Sequence, residues 1–347
     1  GDVFFAGGWG QSEFSGTCPT DPNSPTYASC SVEWYQPNGA IGLLQSPLAK
    51  ARAGHTATLI DDTPTILFVG GDLDGEGTFE LWDPHSGSQG AQALPDNNTR
   101  RFHAAVQAQV LDTSTPPVIA DVVLIFGGES DNGPLDSGLF YVSATGQMLN
   151  NYQQTLPGGP RTHLTGTYVP ERERIYFVGG FTDSARTTAS AAIDSYDTSA
   201  ANPFAPFISD SQVLIPAIDT AACSQSPLQL QQPRGGHSVS LLQDSMLIVL
   251  GGSDGANPLG DIEIIHEFQT ARCTASLGSD RVTQVVSSVC AEAAGCSGVM
   301  LDPMPFPTNG HRSLVLDSGN ILMSGGVSTS ASDITNVVQS LYLFVPQ

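Results

Sequence analysis

Carboxylates at alternate positions of one short loop are the residues whose spacing best suits metal chemistry. Asp72, Asp74 and Glu76 are separated by single residues around Gly75. Hard cations such as calcium prefer oxygen donors arranged in this way. Two interpretations of the loop remain: a solvated acidic surface, which we favour, and a calcium site formed by Asp72, Asp74 and Glu76.

A second set of polar residues, in which an arginine precedes a histidine by two or three positions, recurs along the chain. A single pair of this kind would suit catalysis, but an enzyme needs one site and not a series of equivalents. Repetition favours a structural role, in which a buried polar side chain bonds the backbone of the next repeat. The members are Arg52 with His55, Arg100 with His103, Arg161 with His163, Arg234 with His237, and His311, which has Thr308 in the place of arginine.

The six cysteines form no C-x-x-C pair and no cluster with zinc-binding spacing. Cys18 and Cys30 flank a loop rich in Pro and Ser, which predicts a Cys18–Cys30 disulfide. Most of the others surround an insertion at about 268–298, where Cys273 is expected to pair with Cys290 or with Cys296. Disulfides in loops predict an oxidising compartment, which means an extracellular, cell-surface or periplasmic location.

The elements that must position these residues are short buried strands. Six apolar runs end in Gly-Gly, and each reads as a strand bounded by turn glycines. Their regular recurrence indicates a repeat architecture, in which no unit buries its apolar face alone. The doublets are Gly7-Gly8, Gly70-Gly71, Gly127-Gly128, Gly179-Gly180, Gly251-Gly252 and Gly325-Gly326.

The neighbours of each doublet also recur. A polar turn carrying histidine precedes it, as in Arg52-Ala-Gly-His55, and a strand with a bulky residue follows it, as in Phe79-Glu-Leu-Trp82-Asp-Pro. This unit resembles the kelch repeat, most closely that of exported bacterial kelch proteins, and the resemblance covers nearly the whole chain. It implies an all-β fold: one domain, 1–347, forming a six-bladed kelch-type β-propeller with four-stranded antiparallel blades. The chain lacks the regular Trp on the last strand of each blade.

The strand count falls short of six complete blades. Only five histidine-led first strands and five last strands are recognisable, so two strands are missing. Either these residues are one module of a longer exported protein, which we favour, or other segments supply the missing strands. Only Asp280–Ala294 has a pattern that suits a helix.

In a propeller the loops after each Gly-Gly lie on one rim. The resemblance therefore implies an acidic face that serves as the binding surface. Its members are Asp72, Asp74, Glu76, Glu129, Asp131, Asp183 and Asp254.

The net charge of −22, with Lys50 and eleven arginines as the cations, disfavours nucleic acid and anionic membrane surfaces as partners. No apolar run is long enough to span a bilayer. A protein or a glycan is the expected partner.

These features favour a secreted or cell-surface propeller that acts as a non-catalytic binding or structural module without a cofactor, calcium being the exception considered above. One alternative is a propeller enzyme that acts on carbohydrate or resembles the copper-radical oxidases. Those oxidases need two Tyr, two His and a Cys crosslinked to Tyr, which an even number of paired cysteines disfavours. The other alternative is a structural subunit of a larger surface assembly.

Overall fold

The structure is a computed structural model. It describes residues 3–8, 29–35, 41–44, 46–60, 64–72, 75–111, 119–198, 216–218, 225–227, 229–242, 245–269, 281–287, 304, 307–315, 319–324, 326 and 341–344. Within these ranges the chain is all-β, with short 3₁₀ turns at Pro95–Asn97 and Pro170–Arg172. None of these segments is long and apolar enough to cross a bilayer.

The strands form six main sheets in chain order, which we number 1 to 6, and neighbouring strands are almost all antiparallel. Sheet 1 contains β1 (Val3–Ala6), β2 (Val32–Tyr35) and β3 (Ile41–Leu43); sheet 2 contains β4 (Thr56–Leu59), β5 (Ile66–Val69), β6 (Thr78–Asp83) and β7 (Gly87–Ala93). Sheet 3 contains β8 (Ala104–Leu111), β9 (Ile119–Phe126), β12 (Ser137–Val142) and β13 (Gln147–Thr155), and a small hairpin of β10 (Glu129–Ser130) and β11 (Gly133–Pro134) follows β9.

Sheet 4 contains β14 (Thr165–Val169), β15 (Arg174–Val178) and β16 (Ile193–Asp197). Sheet 5 has six strands, β17 (Pro216–Ile218), β18 (Gln225–Pro227), β19 (Ser238–Leu241), β20 (Leu247–Leu250), β21 (Ile262–Gln269) and β22 (Arg281–Ser287). Sheet 6 contains β23 (Arg312–Val315), β24 (Ile321–Ser324) and β25 (Leu341–Phe344). The segment with a helix-like pattern, Asp280–Ala294, thus contributes the strand β22, which pairs with β21.

Each sheet contains one strand that leads into a Gly-Gly doublet, and these strands are β1, β5, β9, β15, β20 and β24. In β5, β9, β15 and β20 the buried residues are apolar, because neighbouring sheets cover both faces of the strand. In β20, for example, all four residues are buried. The sequence-based expectation of buried strands before the doublets is confirmed at β5, β9, β15 and β20.

Five separate apolar clusters lie between consecutive sheets, one for each pair from sheets 1 and 2 to sheets 5 and 6. Between sheets 3 and 4, for instance, Phe126 and Phe140 of sheet 3 pack near Phe177 and Tyr196 of sheet 4. Each sheet therefore depends on its neighbours to bury its faces, which explains why the repeats share one core arrangement.

The strand that directly precedes each Gly-Gly strand in sheets 2 to 6, which we call the first strand, also contacts its counterpart in the next sheet: β4 contacts β8, β8 contacts β14, β14 contacts β19, and β19 contacts β23. Because β5, β9, β15 and β20 run antiparallel to these first strands, the Gly-Gly doublets lie at the ends where the first strands begin. We call this end of the sheets the mouth face.

Candidate functional site

The four repeat arginines, Arg52, Arg100, Arg161 and Arg234, are buried, and each contacts its own Gly-Gly turn. One guanidinium nitrogen of Arg52, Arg161 and Arg234 donates to the carbonyl oxygen of the first doublet glycine, at 2.8, 2.9 and 2.8 Å. Arg100 makes the same contact more loosely, at 3.4 Å. These arginines therefore hold the turns in place.

Buried carboxylates neutralise three of these arginines. Arg52 pairs with Glu80 at 2.8 Å, Arg234 pairs with Glu263 at 2.7 Å, and Arg161 pairs with Asp194. These partners were not predicted from the sequence, because each of the three strands carries a second acid, namely Asp83, Asp197 and Glu267. Sheet 3 has no such acid, and Arg100 bonds Ser137 and Asn98 instead.

The repeat histidines join consecutive sheets. Nε2 of His103 lies 2.8 Å from the Thr56 hydroxyl, that of His237 lies 3.0 Å from Thr165, and that of His311 lies 2.8 Å from Ser238. Burial lowers the pKa of all of these imidazoles, and to about 4 for His311. They are neutral hydrogen-bonding groups at the contacts between sheets.

These buried histidines predict a loss of stability in mild acid. In His55 and His311 burial is the largest cause that lowers the pKa to about 4, against 6.5 when exposed. Between these values the unfolded chain binds more protons, so the free energy of unfolding falls as pH drops from about 6.5 to about 4. Each histidine contributes at most about 3 kcal/mol, and less for His55, which stays partly accessible.

Urea unfolding at pH 7.5 and pH 4.5 measures this effect. His311→Gln should reduce the difference between the two pH values, since glutamine does not titrate. Equal stability at both values would contradict the expectation.

His163 does not occupy the position of the other histidines. The contact that His103 and His237 make with the preceding doublet is made in sheet 4 by Leu164, whose side chain lies against Gly127. His163 is shifted by one residue and stands where the other repeats have Gly54, Phe102, Gly236 and Gly310. All five residues have positive φ, between 54° and 75°.

These five residues form a continuous chain of backbone hydrogen bonds across sheets 2 to 6. Phe102 N–H donates to Gly54 at 2.6 Å, His163 to Phe102 at 2.9 Å, Gly236 to His163 at 3.0 Å, and Gly310 to Gly236 at 2.8 Å. We call this chain the mouth ring. It fixes the relative positions of five sheets at the mouth face.

Aromatic side chains and arginines gather at the mouth ring. The His163 imidazole stacks on Phe102, with ring centres 4.0 Å apart, and meets the edge of Phe181 at 5.9 Å. Burial, followed by the charges of Arg186, Arg312 and Arg101, lowers the pKa of His163 to about 3. The imidazole is therefore neutral, and three cations are close enough to act on it electrostatically.

The carboxylates expected on one rim follow the Gly-Gly turns at the mouth face, but most of them serve local structure. Asp72 bonds Arg52 and the Thr78 N–H, and Glu76 pairs with Lys50. Glu129 pairs with Arg101 at 2.9 Å. Asp183 and Asp254 accept N–H groups of their own loops, Asp131 is exposed, and Asp74 lies outside the described residues.

In the part of the chain that the structure describes, no group of three or more potential metal-binding side chains is close enough to hold an ion. Of the cysteines only Cys30 is described, and it is buried and not a free thiol. The pairings Cys18–Cys30, Cys273–Cys290 and Cys273–Cys296 involve residues outside the described ranges and stay predictions.

A comparison with protein-family models finds no match for this chain, and a comparison with curated proteins finds none either.

Proposed function

We propose that the six sheets are the blades of a kelch-type β-propeller that serves as a non-catalytic binding module outside the cell. The mouth ring is the observation that carries this proposal. A backbone chain through five consecutive sheets makes the mouth face rigid, and rigid scaffolds are suited to present loops for binding.

Two further observations support the circular arrangement. Five similar clusters between consecutive sheets are what radial packing of blades requires. Burial, followed by the charges of Arg52 and Arg312, lowers the pKa of His55. The contribution of Arg312 supports a ring, because in an open row sheet 6 would lie too far from His55 of sheet 2.

The repeat histidines support a binding role over a catalytic one. His103, His237 and His311 are buried, and each repeats the same contact with a hydroxyl group of the preceding sheet, whereas catalysis needs one site that a substrate can reach. The proposed role needs no cofactor. A calcium site at the Asp72 loop is not part of it, because Asp72 and Glu76 already have cationic partners.

The proposed location outside the cell rests on the disulfides expected in the loops. The strongly acidic chain favours a protein or glycan partner, since a polyanion would be repelled.

A matched pair of surface variants tests this proposal. Asn132→Lys with Asn257→Lys adds two cations to exposed loops of the mouth face, whereas His85→Lys with Ala144→Lys adds two to exposed turns at the opposite end. The immobilised wild-type chain is exposed to proteins and glycans from its native surroundings, and each retained partner is then tested against both variants.

We expect the variant at the opposite end to retain the partner and the mouth-face variant to lose most of it. Loss only in the variant at the opposite end, or no partner for the wild type, would overturn the proposal. If the chain converted a retained glycan to a product, the carbohydrate-acting alternative would replace the binding-module proposal. If it produced peroxide, the oxidase alternative would replace that proposal.

A further inference from the structure

The mouth ring carries side chains at positions where the chain otherwise uses glycine. Phe102 and His163 have φ values of 54° and 55°, and the nearby Arg186 has 59°. Left-handed backbone is unfavourable for such residues, and where it persists it commonly marks a functional site. Three of the six non-glycine residues with positive φ in the described ranges meet here.

The arginines of the mouth are not neutralised equally. Arg101 has a carboxylate partner in Glu129. In the described part of the chain Arg186 and Arg312 form no ion pair, although both are accessible. Both charges are therefore open to a ligand, and an anion held by the two cations would form charge-assisted hydrogen bonds.

His163 completes the site as a neutral group. Its Nδ1 lies 3.0 Å from the Thr162 hydroxyl, which leaves Nε2 as the ring nitrogen available to a ligand. Stacking on Phe102 fixes the plane of the imidazole. The mouth face thus offers the two charged groups of Arg186 and Arg312, the neutral Nε2 of His163 and the aromatic ring of Phe102.

We propose that the centre of the mouth face binds a single carboxylate carried by a small, otherwise uncharged molecule, with Arg186 and Arg312 as its charge partners and His163 as its hydrogen-bonding partner. This inference rests on the proposed function, because it specifies the chemistry that the binding face recognises.

The acidic loops around the centre argue for one carboxylate and against a polyanion. Asp131, Asp183 and Asp254 lie on loops of the same face, and the chain as a whole has a net charge of −22. A nucleic acid or a polyacidic peptide would meet repulsion from this surrounding surface. A single carboxylate reaches the arginines, and its uncharged remainder can donate hydroxyl hydrogens to the neighbouring acids.

Titration with three small probes at pH 7 tests the inference. Galacturonate supplies a carboxylate on a sugar, galactose is its counterpart without the carboxylate, and acetate supplies a carboxylate without the sugar. Binding is followed by calorimetry and by the imidazole NMR signals of His163. We expect saturable binding of galacturonate and a shift of the His163 signals, and no response to galactose.

Arg312→Ala and Arg186→Ala should each weaken galacturonate binding at least about tenfold, and Arg312→Lys should restore part of it. Both residues are accessible, so the variants should fold, which thermal unfolding checks. Arg174→Ala is the control, because Arg174 begins β15 at the end of sheet 4 opposite the mouth face.

Acetate binding at the same signals would show that the carboxylate alone suffices, and galacturonate binding without acetate binding would identify an acidic sugar; either supports the inference. Equal binding of galactose and galacturonate, no binding of either carboxylate, or unchanged binding in both arginine variants would overturn it. The proposed function has a separate test, because it depends on whether the wild type and the two lysine variants retain a partner.

Discussion

Arg234→Met is expected to lower the free energy of unfolding by about 3–5 kcal/mol. The Arg234 and Glu263 side chains are both fully buried and joined at 2.7 Å. Methionine fills a similar volume but leaves the Glu263 carboxylate in the interior without its cation. The Gly251 carbonyl also loses its 2.8 Å contact with the guanidinium. Urea unfolding, followed by fluorescence or circular dichroism, gives the change directly.

Two comparisons separate the buried ion pair from other effects of this substitution. Glu76→Gln breaks the ion pair between Glu76 and Lys50. Because the Glu76 side chain is 67% exposed, this substitution should change the free energy of unfolding by less than about 1 kcal/mol. Arg234→Met combined with Glu263→Leu removes both charges and should recover part of the loss. The recovery is partial because Glu263 also accepts the N–H groups of Gln231 and Gln232. A loss of less than 1 kcal/mol for Arg234→Met would show that the pair does not stabilise the sheet.

The repeated strands could be predicted from the sequence because the signal is local. An apolar run such as Ile248–Leu250 followed by Gly251-Gly252 contains both the strand and its end. The carboxylate partners of the arginines could not be predicted in the same way. Glu80 lies 28 residues after Arg52, and Glu263 lies 29 after Arg234. Only the pairing of strands brings them together.

The mouth ring could not be predicted from the sequence either, for a related reason. Its hydrogen bonds join residues of different sheets, and its members share a backbone conformation and not a residue type. From the sequence, His163 was therefore grouped with the other repeat histidines. In the structure Leu164, and not His163, contacts the preceding doublet at Gly127. The remaining signal was the spacing, since His163 follows Arg161 by two residues and the other repeat histidines follow their arginines by three.

The acidic loops show a third limit of sequence reasoning. Alternating carboxylates suit calcium, but the same residues suit arginine, lysine and backbone N–H groups. Asp72 accepts from Arg52 and from the Thr78 N–H, and Asp183 accepts from Thr188. Which partner a carboxylate takes depends on the fold around the loop and not on spacing within it.

Gly251→Ala is expected to destabilise the chain by about 3–4 kcal/mol, from left-handed strain and overpacking together. The φ of Gly251 is +58°, and a Cβ there would lie 2.6 Å from the Thr308 carbonyl oxygen and 2.9 Å from the His311 ring. The same carbonyl accepts the Gly252 N–H at 2.8 Å, so moving it away would weaken a bond between sheets 5 and 6.

Gly159→Ala is the matched control for this prediction, because Gly159 has a φ of +82° and no atom within 4 Å of the added carbon. It should cost only the left-handed strain, about 1–2 kcal/mol. The difference between the two variants in urea unfolding isolates the close approach of consecutive sheets from the backbone conformation. This approach recurs at Gly7 and Gly127, where a Cβ would meet the carbonyls of Arg52 and Arg161. If both variants lost the same free energy of unfolding, the close contact between sheets would contribute nothing to the requirement for glycine at position 251. The doublet would then be needed only for the backbone conformation of its own turn.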